Sequence, residues 1–154
     1  MSPQDTALAE AAENNELQTM ERLIADGVSA EAKDGNGTPA LVLAAMGGHL
    51  DALKLLRRHG ANLDATAQGG WTALMRAAYE GKADCAEALL EWGADKDAAS
   101  SIGDTALHCA AGNGQLECTR LLVAAEADRA KRNHEGQTAL EVARAYREAL
   151  HRRE

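Results

Sequence analysis

Residues Thr105–Ala110 read TALHCA, and a similar stretch, TALMRA, stands 33 residues earlier at Thr72–Ala77. A third, TALEVA, stands 33 residues later at Thr138–Ala143. Leucine, alanine and glycine return along the chain at the same interval. The columns are Leu8, Leu41, Leu74, Leu107 and Leu140; Ala11, Ala44, Ala77, Ala110 and Ala143; Gly37, Gly70, Gly103 and Gly136; Gly48, Gly81 and Gly114; and Gly27, Gly60 and Gly93. So many columns in one register indicate a repeat protein.

Each column has a physical role in a unit of two helices. The leucine and the alanine three residues later share one face of a short first helix. A glycine such as Gly48 follows that helix, where a left-handed cap conformation favours glycine. A second helix carries leucine pairs such as Leu55–Leu56, and a polar turn with a glycine follows it. Because one unit cannot bury its apolar face alone, the units must stack.

The repeated stretches resemble the ankyrin hallmark T-P-L-H-x-A, which opens the first helix of that repeat. The turns Gly60–Asp64 and Gly93–Asp97 are similar to the family's G-A-D-x-N turn. Alanine replaces the motif proline in every unit, and only His108 supplies the motif histidine. The resemblance implies an all-α ankyrin-repeat solenoid of stacked helix–turn–helix units with β-turn or hairpin connections.

The period divides the chain into five repeats within a single domain, 1–154. We expect units at about 1–33, 34–66, 67–99, 100–132 and 133–154. First helices are predicted over 6–14, 39–47, 72–80, 105–113 and 138–147, and second helices over 16–25, 49–58, 82–91 and 115–124. The first and last units are atypical caps, because one face of each meets water. The last unit lacks the internal glycine, which predicts one continuous final helix.

The charge of the chain is acidic and unevenly distributed. The formal net charge is −8, which disfavours nucleic acid, since that ligand needs a basic surface. Residues 129–154 hold seven Lys/Arg and four Asp/Glu, whereas residues 1–128 hold nine and twenty. An acidic body favours basic partners through electrostatic steering, although the same charge also serves solubility.

The cysteines and the N-terminus suggest a reducing compartment. Cys85, Cys109 and Cys118 form an odd set without a recognisable disulfide spacing. The first fifteen residues are acidic and contain no signal-peptide pattern. No apolar run approaches the roughly 20 residues that span a bilayer. We therefore expect a cytoplasmic or nuclear protein that does not use a membrane.

No catalytic, cofactor or metal site is predicted. His108 and Cys109 are adjacent and point in different directions on a helix, whereas zinc needs about four converging ligands. The carboxylates are scattered, and no nucleophile and base can be paired from their spacing. In the family, the histidine at the position of His108 holds its own turn in place. His49 is expected to open a second helix as a polar cap residue. The chain is therefore not expected to be an enzyme.

The resemblance also implies a partner-binding groove, because ankyrin turn tips and first helices form a concave surface that holds partners. Carried over residue by residue, the expected contact residues are Asn36, Thr38, Met46, Gln68, Trp71, Tyr79, Glu80, Ile102, Asp104, Asn113 and Glu135. Trp71 and Tyr79 are two of only four aromatic residues. An aromatic pair ringed by carboxylates suits an Arg or Lys side chain. Alternatively, Trp71 packs over its own hairpin.

These observations predict a monomeric adaptor that binds a segment of another protein, with Arg or Lys in that segment. Two alternatives remain open at this point. Some small free-standing ankyrin proteins are stoichiometric inhibitors or assembly chaperones of an enzyme, which the length of this chain fits. Some ankyrin domains that read histone-tail lysines place a tryptophan at the position of Trp71, with acidic neighbours.

Overall fold

The computed structural model describes residues 2–153; Met1 and Glu154, the two ends of the predicted domain, lie outside the described residues. Within that range the chain forms nine helices, and its strand pairing is limited to isolated bridges. The helices are α1 Pro3–Glu13, α2 Leu17–Ala25, α3 Ala40–Gly47, α4 Leu50–Arg58, α5 Ala73–Glu80, α6 Ala83–Glu91, α7 Ala106–Gly112, α8 Leu116–Ala124 and α9 Ala139–Arg152. The predicted all-α fold of stacked helix pairs is confirmed.

The helices pack in two parallel rows. The first helices α1, α3, α5, α7 and α9 contact one another in sequence order, and the second helices α2, α4, α6 and α8 form a looser outer row. Alanine makes the tight inner row possible, because its small side chain lets helix backbones approach closely. Ala44, Ala77 and Ala110 are fully buried there. The leucine column lies between the rows, and Leu41 and Leu74 are each 1% exposed.

Local capping sets the helix boundaries. The side chains of Thr72 and Thr138 accept the N3 backbone N–H of α5 and α9. Helix α1 begins at Pro3, three residues before the predicted start, because Ser2 and Asp5 form a capping box. Helix α9 is continuous as predicted, and it extends to Arg152 instead of residue 147.

Hairpin turns connect the units on one side, as the fold prediction required. Antiparallel bridges join Lys33 to Pro39 and Ala67 to Trp71. The Asp34 Oδ1 atom accepts the backbone N–H groups of Asn36 and Thr38, both at 2.9 Å. Such side-chain acceptors fold the turn locally and hold its tip in a fixed shape.

Between the second helices and the hairpin turns, the same connections carry a ladder of carboxylates that links successive units. Asp64 Oδ1 accepts the backbone N–H of Asp95 at 2.9 Å, and Asp97 Oδ1 accepts that of Asp128 at 2.8 Å. Glu31 contacts the backbone N–H of Asn62 in the same way. Each carboxylate thus satisfies a backbone donor of the next unit, and charge-assisted bonds of this kind are stronger than neutral ones.

One turn position provides a stability test. Gly93, two residues after the end of α6, has φ 90°, and Glu126, the equivalent residue after α8, is held at φ 63°. We expect Glu126→Gly to raise the free energy of unfolding by about 0.5 kcal/mol, because relief of the left-handed conformation exceeds the added freedom of the unfolded chain. Gly93→Glu, which meets open space, should lower it similarly. Urea denaturation measures both, and a shift of both variants in the same direction would contradict this account.

Candidate functional site

The predicted contact residues lie on the hairpin turns and on the first helices. Asn36, Gln68, Tyr79, Ile102 and Glu135 are exposed, with Ile102 at 59% and Tyr79 at 39%. The others are half-buried: Thr38, Met46, Trp71, Glu80, Asp104 and Asn113. We call this set the turn face.

Two aromatic rings form the centre of the turn face. The ring centroids of Trp71 and Tyr79 lie 5.5 Å apart, with an interplanar angle of 85°. This edge-to-face arrangement is one that aromatic pairs prefer. Trp71 precedes α5 directly and Tyr79 lies near the end of the same helix, so one repeat unit positions both rings.

Arg76 covers this aromatic pair. Its Cζ atom lies 4.5 Å from the Trp71 ring centroid and 5.8 Å from that of Tyr79. One guanidinium nitrogen lies 3.6 Å from Glu80 Oε1. The Nε atom of Arg76 is buried and has no hydrogen-bond acceptor within residues 2–153. The guanidinium is therefore held by π-electrons and one carboxylate, and its hydrogen bonding is incomplete.

This arrangement changes the interpretation of Trp71. The sequence predicts a partner's cation over the aromatic pair, but Arg76 of the chain itself occupies that position. Trp71 packs within its own unit against Tyr79 and Arg76 of α5, whereas the alternative that the sequence left open placed it over its own hairpin. The signal for Arg76 was its spacing, since a helical residue three before Tyr79 and four before Glu80 shares their face.

Two predicted contact residues also join neighbouring units. Asn113 Nδ2 donates to the Tyr79 carbonyl oxygen at 2.9 Å, and Gln115 Nε2 donates to the same oxygen at 3.0 Å. Asp104 Oδ1 accepts from Asn133 Nδ2 at 3.0 Å. These bonds fix the turn face between adjacent repeats, and they leave the carboxylate of Glu135 as its most exposed acidic group.

Two of the five histidines connect neighbouring units through their side chains. The His108 side chain is buried, and its Nε2 donates to the carbonyl oxygen of Gln137 at 2.8 Å, which leaves Nδ1 to accept the Thr105 backbone N–H at 3.2 Å. His49 is the N-cap residue of α4, as expected, but its side chain makes no hydrogen bond to that helix. Its Nε2 bonds to the carbonyl oxygen of Glu13 in the preceding unit at 2.9 Å, because a carbonyl left free at the end of α1 needs a donor.

The part of the chain that the structure describes was found to contain neither a metal-binding group nor a membrane-spanning helix. No group of three or more His, Cys, Asp or Glu side chains could hold a metal ion there. None of the described helices combines the length and apolar character needed to cross a bilayer. The three cysteines are free and buried.

Burial makes these thiols weak acids. It raises the pKa of Cys85 from 9.0 to about 11, with a further contribution from Asp84, and that of Cys109 to about 12, with a contribution from Asp104. Burial also raises the pKa of Cys118. Because the thiolate is the reactive form, thiols of this kind react slowly.

The thiols generate a prediction of pH dependence. In the unfolded chain they ionise near pH 9, whereas in the folded chain Cys85 and Cys109 stay neutral until about pH 11–12. Their contribution to stability is therefore complete below pH 9 and is lost as the pH rises toward 12. Ellman's reagent at pH 8 should label the native protein far more slowly than the urea-unfolded one.

A triple Cys→Ala variant is the control for the alkaline loss of stability. Above pH 9 the free energy of unfolding of the wild type should fall relative to that of this variant, because only the wild type contains the thiols. A difference that stays constant from pH 7 to pH 11 would contradict the assignment to the thiols.

Comparison with known proteins agrees with this architecture. A family model described as ankyrin repeats (3 copies) matches residues 8–100 and 96–151. No curated protein matches the chain significantly. Ankyrin repeats are in general protein–protein interaction modules, which fits a face of exposed apolar and acidic side chains on a rigid stack. The chain belongs to the ankyrin-repeat family.

Proposed function

We propose that the chain is an adaptor that binds a segment of another protein on the turn face, and that this segment contains Arg or Lys. The observation that carries the proposal is the cluster of accessible apolar side chains at the centre of that face. Tyr79 and Ile102 are exposed, and Met46 and Trp71 are half-buried in adjacent units. Aromatic residues at the centre of a surface are typical hot spots of protein binding.

Charge supports a basic segment. Glu80, Asp104 and Glu135 flank the apolar cluster, and Arg76 already shares Glu80. A partner cation would therefore pair with Asp104 and Glu135, instead of stacking on Trp71. Arg76 in turn holds the Trp71 ring in place before a partner arrives, which lowers the entropy lost on binding. The acidic body of the chain would steer such a segment toward the face.

The aromatic pair can be tested with a matched control. Trp71→Ala combined with Tyr79→Ala should weaken binding of a co-purified partner by about 2 kcal/mol, roughly 30-fold. Trp92→Ala is the control, because Trp92 also lies beneath an arginine, with Arg57 Cζ 4.8 Å from its ring, but on the second-helix row. Circular dichroism should first show that both variants fold. Equal affinity of the double variant and the wild type would exclude this face.

The charge of the partner segment needs a separate test. Glu135→Lys should weaken binding about twofold to fivefold, and the effect should shrink at high salt, because exposed ion pairs are worth about 0.2–1 kcal/mol. Glu87→Lys on α6 makes the same change in net charge on an exposed site of the outer row. A partner segment that loses equal affinity in both variants responds to net charge alone, and the proposed pairing would be wrong.

The same experiments separate the alternatives. A histone-tail reader would need an open aromatic cage, whereas Arg76 covers Trp71; titration of lysine-containing tail peptides should give no saturable binding. An inhibitor or assembly chaperone would co-purify with one dominant enzyme in a fixed ratio.

Three free, buried thiols also support our proposal that the protein works in the reducing cytoplasm or nucleus. The proposed monomeric state can be tested by sedimentation.

A further inference from the structure

The last repeat unit leaves part of its core uncovered. Helix α9 is its single helix within residues 2–153, so no second helix packs beside it there. The effect is visible at the leucine column. Leu41, Leu74 and Leu107 are 1–3% exposed, whereas Leu140, at the equivalent position of α9, is 60% exposed.

Helix α8 is uncovered on the same side. In the earlier second helices, the residues equivalent to Thr119 are Met20, Leu53 and Ala86, and all three are fully buried because the next outer helix packs over them. Thr119 is only half-buried, and Leu116, one turn earlier, is 63% exposed. The position that a tenth helix would fill is therefore open on both of its sides.

A groove of about 310 Å³ lies at this position. Its apolar lining comprises Leu107, Ala111, Val123, Leu140 and Ala143, with Thr119 and Arg129 at its sides. We call it the terminal groove. In the preceding units the equivalent space holds a helix of nine residues such as α4, α6 or α8. The terminal groove thus lies where a second helix packs in the preceding units.

The surroundings of the terminal groove are basic. Arg129 lines it, and the neighbouring surface of α9 presents Arg144, Arg147, His151 and Arg152 together with Glu148. Within residues 2–153, the ion pairs closer than 4 Å do not involve Arg129, Arg144 or Arg147. Two copies of the chain that docked through this face would bring their arginine rows together, which disfavours a second copy as the occupant.

We propose that the terminal groove binds an amphipathic helix of another protein, with leucine-type side chains on one face and carboxylates beside them. The apolar lining contacts the leucines of that helix, as the equivalent surfaces of earlier units contact the leucines of their second helices. The arginines of α9 pair with the carboxylates, which favours an acidic helix over a basic one. This surface is separate from the turn face, and its occupant is of opposite charge.

A peptide taken from the chain itself is a suitable probe. Residues 82–93, with Cys85 replaced by alanine, contain α6, an acidic second helix that carries Asp84, Glu87 and Glu91. Fluorescence anisotropy should show saturable binding of the labelled peptide with a Kd below about 1 mM. Leu140→Glu should weaken it at least tenfold. Ile102→Glu, which changes an apolar residue of nearly equal exposure on the turn face, should leave it unchanged.

Charge reversal completes the test. A peptide with Asp84, Glu87 and Glu91 replaced by lysine should not bind the wild type, and it should bind Arg144→Glu/Arg147→Glu. Absence of saturable binding of the acidic peptide, or equal binding by Leu140→Glu, would overturn the proposal. So would a wild-type dimer in sedimentation that Leu140→Glu abolishes, since the occupant would then be a second copy.

Discussion

The packing of one first helix against the next is the contact on which the rest of the molecule depends. A single unit offers a leucine and an alanine face that it cannot cover, and the neighbouring unit covers it. The small side chains of Ala44, Ala77 and Ala110 let the first helices approach one another closely. The leucines are then buried between the inner and outer rows. Apolar packing thus sets the position of each unit against the next, and hydrogen bonds between the units add to it.

The polar network follows the same period as the core. His49, Gln115 and His108 each bond to a backbone carbonyl of an adjacent unit. These side chains satisfy acceptors that a helix end or a turn leaves free. These polar residues, which a motif search would rank as candidate ligands, therefore hold neighbouring units together. The surface also presents side chains that make no contact between units.

The sequence could predict the fold because its evidence is periodic. Leu8, Leu41, Leu74 and Leu107 return at one interval, and a column of that kind has few structural explanations. The helix ends were less predictable, since the start of α1 depends on a capping box of Ser2 and Asp5, which belong to none of the repeated columns. At the turn face the sequence placed Trp71 and Tyr79 correctly in one unit. It could not show that Arg76 lies over Trp71, because helical spacing places side chains on one face without fixing the rotamer that brings them into contact.

Two sets of hydrogen bonds in the connections between units hold each unit in register with the next. Asp64 and Asp97 bond to the next unit near the ends of the second helices. At the hairpin turns, the Ser101 and His134 backbone amides donate to the carbonyls of Gly69 and Ile102. These bonds oppose bending between neighbouring units, and they therefore restrain the distance from the turn face to the terminal groove. A partner with two binding elements would therefore have to span a defined distance between the two surfaces. The length of the linker between those elements would set the effective concentration of the second element once the first has bound.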